Sequence, residues 1–407
     1  MPSSLTWIDH DSKARERTIR ILSFMQQKES RDELGLGAIR DSFADALFPG
    51  TSTIQTRMRY MLFVPWIYIF LEKKRVMPPA FRERARNIEL ALIEPLLACS
   101  DHAAGIFGRV AGQGLKRLPS SVYWNGLGIW GLRRNDLSRN EYHRHIGEIY
   151  RQRDITRQRK EKDDSPEAAT QTWHPRLPDP PEGFPDAIKN LGIELTTEEA
   201  SFLLDCLTKS SPDSLLVFLA LNSKPVECEF PWQHADRERF SSSHRELLDY
   251  GEMFSTVMHG AGFLYNLMLA EVAQRKSLEE EHRVNLDGWR ERLLSCPNIN
   301  LPLEKIWELT AGRGHTITPK TKEFITAWHR RVMATRGDVV ADEECRTLIR
   351  NREMKLKGSR SRFTNAGARD NWNGSAGIGQ MSYRWPNVKV LLADLYAGLN
   401  GGGNARS

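Results

Sequence analysis

The chain has 407 residues, 40% of them hydrophobic and 27% charged, and carries a formal net charge of +6. These values are ordinary for globular proteins and exclude a chain that is disordered or fibrous throughout. At about 150 residues per domain the length predicts two or three domains, and the longest apolar stretch, Met61 to Leu71, contains Pro65 and falls short of the roughly 20 residues that span a bilayer.

The first residues, "MPSSLTWIDHDSKARERTIRILSF", mix acids and bases ahead of any apolar run, unlike a signal peptide. The cysteines Cys99, Cys206, Cys228, Cys296 and Cys345 are scattered with no C-x-x-C spacing, so a reduced, cytoplasmic setting is expected, with no membrane association. Apolar residues then recur at helical spacing, as in Ile88, Leu90, Ile93, Leu96 and Leu97, which predicts an N-terminal helical domain over 1–150.

Within it, "PGTSTIQTRMRYMLFVPW" (residues 49–66) reads as a turn followed by a helix from near Thr53. Ser52 and Gln55 fit a capping box, and Pro65 predicts a kink. Hydroxyls at a helix start followed by Arg57 and Arg59 suit a phosphate held by backbone amides and guanidiniums. The blander reading pairs Arg57 or Arg59 with Asp41 or Asp45 of the preceding helix. Further on, Trp124 and Trp130 lie among glycines and read as a loop folded on the first domain. His143 and His145, two apart in Arg-rich surroundings, make no metal shell.

Residues 151–185 are polar and then proline-dense, which predicts a linker. A C-terminal helical domain is expected over 186–397. It opens with a Thr196/Glu199 capping box and contains "MFSTVMHGAGFLYNLMLAEVAQR", apolar around its circumference and therefore central. His259-Gly260-Ala261-Gly262 is similar to an esterase oxyanion loop, but no G-x-S-x-G accompanies it, so close helix packing with a core histidine is the expectation. Residues 398–407 are glycine-rich and expected to be disordered.

Charge is segregated. Arg133 to Lys162 holds ten Lys/Arg against five Asp/Glu, and Arg350 to Lys389 nine against two, so the remainder is acidic. In the second stretch Arg360, Arg362, Arg369 and Arg384 alternate with Trp372 and Tyr383, a pattern that neutralises phosphates and stacks on bases. The alternative is a folded glycine turn whose aromatics cap the core. Glu353 and Lys355, with Asp338 or Asp342 upstream, imitate part of a metal-dependent nuclease motif, but on a stretch that reads as helix. No complete catalytic motif, metal shell or cofactor motif is present.

Several blocks in one order, "WID", "DELGLGAIRDSFADALFPGTSTIQTRMRYMLFVPWIY", "PSSVYWNGLGIWG", "WHPRLPDPPEGF", "HGAGFLYNLMLAE" and "WNGSAGIGQMSYRW", resemble an uncharacterised bacterial domain-of-unknown-function family numbered six-three-six-one. The resemblance spans nearly the whole chain and brings no catalytic residue with it. It implies a companion of helicases, nucleases or methyltransferases in defence-type gene clusters. The expectation is thus a mainly α protein of two helical domains joined by a proline-rich linker, acting as a non-catalytic nucleic-acid-associated subunit. Ser52, Arg57, Arg59, Arg360, Arg362, Arg369, Trp372, Tyr383 and Arg384 would make the contact. A metal-dependent nuclease or a protein–protein adaptor is the alternative.

Overall fold

The computed structural model describes residues 32–99, 104–160, 171–186, 191–222, 228–296 and 300–401. These are mainly helical: α1 (Gly37–Leu47), α2 (Tyr60–Lys73), α3 (Pro78–Ala91), α4 (Ile93–Cys99), α5 (Pro119–Ile129), α6 (Arg139–Lys160), α7 (Thr197–Ser210), α8 (Leu215–Asn222), α9 (Ser242–Val272), α10 (Lys276–Ser295), α11 (Leu303–Gly312), α12 (Pro319–Thr335), α13 (Glu343–Lys357), α14 (Ala366–Asp370) and α15 (Trp385–Leu399). An isolated antiparallel bridge joins Arg133 to Trp173. No described helix is long and apolar enough to cross a membrane.

Among the described residues, those within 1–43 and 246–383 form one compact unit and those within 44–245 and 384–407 another. This division differs from the serial one drawn from composition at 150 and 185. The proline-rich segment is not a spacer: the Trp66 indole donates to Pro178 O at 2.7 Å, and Phe184 stacks on Phe63 with ring centroids 6.5 Å apart. Aromatic rings and prolines bury apolar area without needing backbone partners, so the segment lies down on α2. At the C-terminus α15 runs to Leu399, which replaces the expected disorder at its first two residues, while 402–407 lie outside the described residues.

In the 246–383 unit the core is α9, buried along most of its length from Leu248 to Ala270. Small residues on it let neighbours approach: a Cβ added at Gly260 would sit 2.3 Å from the Trp289 ring. Tryptophan N–H groups then find the backbone of α9, with Trp289 Nε1 donating to Thr256 O at 2.7 Å and Trp328 Nε1 to Val257 O at 3.0 Å. His259 Nε2–H donates to Ile378 O, 2.7 Å away, and burial lowers its pKa to about 4. It behaves as a core histidine.

In the 44–245 unit α2 is buried on nearly every face and packs on α3 and α5, while α3 packs on α6 and α15 on α7 and α8. α7 carries the expected capping box: Thr196 accepts from Glu199 N, and Glu199 from Thr196 N. α2 starts seven residues later than its sequence suggested, at Tyr60 rather than Thr53. Gln55 Oε1 does accept from Ser52 N at 3.1 Å, but Ser52 Oγ is buried without a partner. The amides ahead of α2 are instead taken by remote groups. Thr56 N and Arg57 N donate to the Tyr123 hydroxyl at 2.9 and 3.1 Å, and Met58 N to Asp394 Oδ2 at 2.8 Å. With these N–H groups already satisfied by remote acceptors, the stretch runs in turns up to the start of α2. Trp124 lies in α5, a helix begun by Pro119, rather than in a loop.

Candidate functional site

The residues singled out from the sequence are held by internal partners. In the 44–245 unit Arg57 forks onto Asp394, with Nε 3.0 Å from both carboxylate oxygens. Arg59 donates to Glu199 Oε1 at 2.7 Å and to Gly192 O at 2.8 Å, and Arg384 to Asp45 Oδ1 at 2.6 Å and Thr51 O at 2.7 Å. The fold thus brings Ser52, Arg57, Arg59 and Arg384 to one turn, and the anion that this turn attracts is the side chain of Asp394. Neither arginine of the pair takes the partner considered in sequence: the acid is Asp394 or Glu199, not Asp41 or Asp45.

In the 246–383 unit Arg362 donates to Tyr265 Oη at 3.0 Å and pairs with Glu33 at 2.9 Å, and Arg369 donates to Arg362 O at 2.9 Å. Trp372 and Tyr383 are 2% and 1% exposed, so their faces meet protein rather than solvent. Trp372 Nε1 donates to Asn266 Oδ1 and the Tyr383 hydroxyl to Gly251 O. Arg360 lies on an exposed turn. The three acids of the nuclease-like pattern have different partners. Glu353 is fully buried and accepts from Ser361 Oγ and Arg362 N, Asp338 pairs with Arg290 at 3.6 Å, and Asp342 caps α13 through Cys345 N. A forked pair with Arg331 holds the Asp342 carboxyl down at about 2. Among the described residues, no group of three or more His, Cys, Asp or Glu side chains is disposed to hold a metal ion.

A different cluster emerges in the 44–245 unit, where α3 meets α6. Pro78 and Pro79 start α3, and Arg82, Arg86 and Glu89 follow at i, i+4 and i+7, one face of the helix. Glu89 is 3% exposed; its carboxylate accepts from Ser120 N and Ser120 Oγ, both at 2.7 Å, at the first turn of α5. Burial pushes its pKa up to about 7 against the opposing pull of Ser120, Arg139 and Arg86. Arg139, the first residue of α6, donates to Ser120 Oγ at 2.9 Å. Four residues on, the His143 ring lies 5.6 Å from both Phe81 and Tyr68, with Nε2 2.8 Å from the Tyr68 hydroxyl.

The rim of this network is cationic. Arg86 donates to Gln113 O and Leu115 O of the glycine-rich segment 104–118, which is pinned where Leu115 and Leu118 pack on Leu90 and Ile93. That pinning holds exposed Lys116 beside α3. Among the described residues Arg82, Arg86, Lys116 and Arg139 form no ion pair with a carboxylate, in contrast to the arginines above. Arg86 and Arg139 act on the buried Glu89 carboxyl without reaching ion-pair distance, so the surface here keeps an excess of positive charge. The signal was present in the sequence as the i, i+4, i+7 spacing behind two prolines, but its charge is modest and the two larger basic stretches overshadow it.

A family of unknown function (DUF6361) matches residues 2–398. The chain belongs to that family. No curated protein and no solved structure matches it. The family therefore fixes kinship over nearly the whole chain, and any chemistry has to be argued from the side chains themselves.

Proposed function

We propose that the protein is a nucleic-acid-associated subunit, in a cytoplasmic setting and alongside a helicase or nuclease partner, whose polyanion contact is the Arg82–Arg86–Lys116–Arg139 rim. Arg57, Arg59, Arg362 and Arg384 are neutralised in place and contribute to folding instead. The observation that carries this reading is four cations drawn from α3, α6 and the segment between α4 and α5, none paired with an acid among the described residues. Cations that have no internal anion bind phosphates with release of condensed counterions, which drives sequence-independent association.

The test is fluorescence anisotropy of the full chain with labelled DNA and RNA over a salt series. Affinity falls steeply with salt. For duplex DNA the combined Arg82→Glu, Arg86→Glu and Lys116→Glu variant weakens binding and flattens the log–log salt slope by roughly 3, about 0.9 per lost phosphate contact. Binding that ignores salt, or a charge-reversed variant that binds like the wild type, removes this reading.

A further inference from the structure

We propose that Glu89 is a proton-operated control on the cationic rim, so that the polyanion contact tightens when this carboxyl is protonated and slackens when it is ionised; this rests on the reading above and names its regulation. The connection is built from short hydrogen bonds. Arg139, a rim cation, donates to Ser120 Oγ at 2.9 Å, and Ser120 in turn holds the Glu89 carboxylate with its hydroxyl and its backbone N–H, both at 2.7 Å. Arg86, a second rim cation, precedes Glu89 by three residues on α3 and so neighbours it on one side of the helix. The carboxyl is thus one hydroxyl removed from one rim arginine and one helical turn from another, without reaching ion-pair distance of either.

Glu89 is 3% exposed and lines a small cavity whose other walls include Phe63, Ile67, Leu92, Leu96 and Phe107. A carboxyl among such walls ionises reluctantly, because burial penalises the charged form. Around it, Arg86 from α3 and Arg139 from α6 favour the anion, Ser120 from α5 donates to it, and Tyr60 and Tyr68 from α2 are phenols that their own burial keeps protonated. Burial outweighs the donors, and the carboxyl titrates at about 7. Ser120 suits both states, since a hydroxyl donates to a carboxylate and accepts from a carboxylic acid without moving its oxygen. Below that pH the rim acts with its full positive charge. Above it, a negative charge beside Arg86 and Arg139 weakens their pull on phosphates. Internal phosphodiesters keep one negative charge each across this range, so the pH dependence arises in the protein. His143, four residues from Arg139, stays neutral throughout, because burial lowers its pKa to about 4.

The experiment is anisotropy of the full chain with labelled duplex DNA at constant ionic strength, from about pH 5.5 to about 8.5, which brackets the Glu89 value. Wild type and Glu89→Gln bind alike at the acid end, where both side chains are neutral. At the alkaline end the variant binds roughly fivefold more tightly, the lower end of the coupling expected between linked sites. Exposed histidines are common to both proteins and cancel in the comparison. A second readout needs no variant: ¹³C NMR of the glutamate side-chain carboxyls in the free and the DNA-saturated full chain. The carboxyl that titrates near neutrality moves its midpoint upward by about 0.7 in pH with DNA bound, the logarithm of the same fivefold factor, because linkage is reciprocal. Parallel pH profiles of the two proteins, or a midpoint that DNA leaves unmoved, overturn the control and leave the rim standing as a contact. Failure of both proteins to bind DNA at any pH removes the rim and the control with it.

Discussion

Glu89 is a carboxyl whose charge is poorly solvated, and this makes it the clearest source of pH dependence in the 44–245 unit. Its pKa rises from 4.5 in the open chain to about 7 in the fold, with burial as the main cause. Between those values the folded state holds a proton that the unfolded state has lost, so the contribution of Glu89 to stability falls as pH rises from 4.5 to about 7. Glu89→Gln removes that titration while keeping an oxygen for Ser120. The stability of the wild type minus that of the variant, from urea unfolding at several pH values, therefore declines across this window. His143 runs in the opposite sense, its lowered pKa favouring the fold as pH rises towards 6.5, but it is common to both proteins and cancels in the difference. A difference independent of pH contradicts the buried Glu89 with its raised pKa described above. At this scale the arginines were legible as types but not as partners: the acid that holds Arg57 lies 337 residues away in the chain, and no local pattern encodes that distance.

Helices were legible where local chemistry decides and obscured where remote groups compete. The Thr196/Glu199 capping box opens α7 as expected, because both of its hydrogen bonds lie within four residues. The Ser52/Gln55 box opens no helix, because Tyr123 and Asp394 claim the next amides. The apolar circumference of α9 correctly predicted a central element, and its glycines show how closely the neighbours pack. Gly260 faces the Trp289 ring at a distance that leaves no room for a methyl group. Gly260→Ala gains helix propensity of about 1 kcal/mol, but it forces the Trp289 indole away from Thr256 O, and overpacking of this kind costs about 1–3 kcal/mol. The expected net outcome is a destabilised variant with a lower denaturant midpoint and unchanged m-value. A midpoint equal to or above that of the wild type shows that the ring shifts freely and that the close approach is not what orders α9 and α10.

For the molecule as a whole, the mainly helical class was legible from periodicity, whereas the path of the chain between compact units was not, since composition marks a proline-rich stretch without showing whether it spans a gap or covers a core. The consequence is testable by cutting the chain at residue 150, where the composition changes. Such a fragment keeps α2 to α5 and the start of α6 but loses the segment that receives the Trp66 indole, the α7 carboxylate that pairs with Arg59, and the α15 carboxylate that binds Arg57 and Met58 N. Arg59 and Glu199 are both almost wholly buried. Removing one partner of such a pair costs about 3–5 kcal/mol, and losing the Asp394 contacts and the apolar cover of α2 adds to it, against a total stability of about 5–15 kcal/mol for an ordinary domain. Residues 1–150 alone are therefore expected to show no cooperative thermal transition by circular dichroism and poorly dispersed amide signals. Joining residues 384–407 to 44–245 through a flexible linker restores the missing partners, and this rearranged chain is expected to melt cooperatively. A cooperatively folded 1–150 fragment contradicts the argument, because it means that Arg57 and Arg59 do without the carboxylates that the full chain supplies.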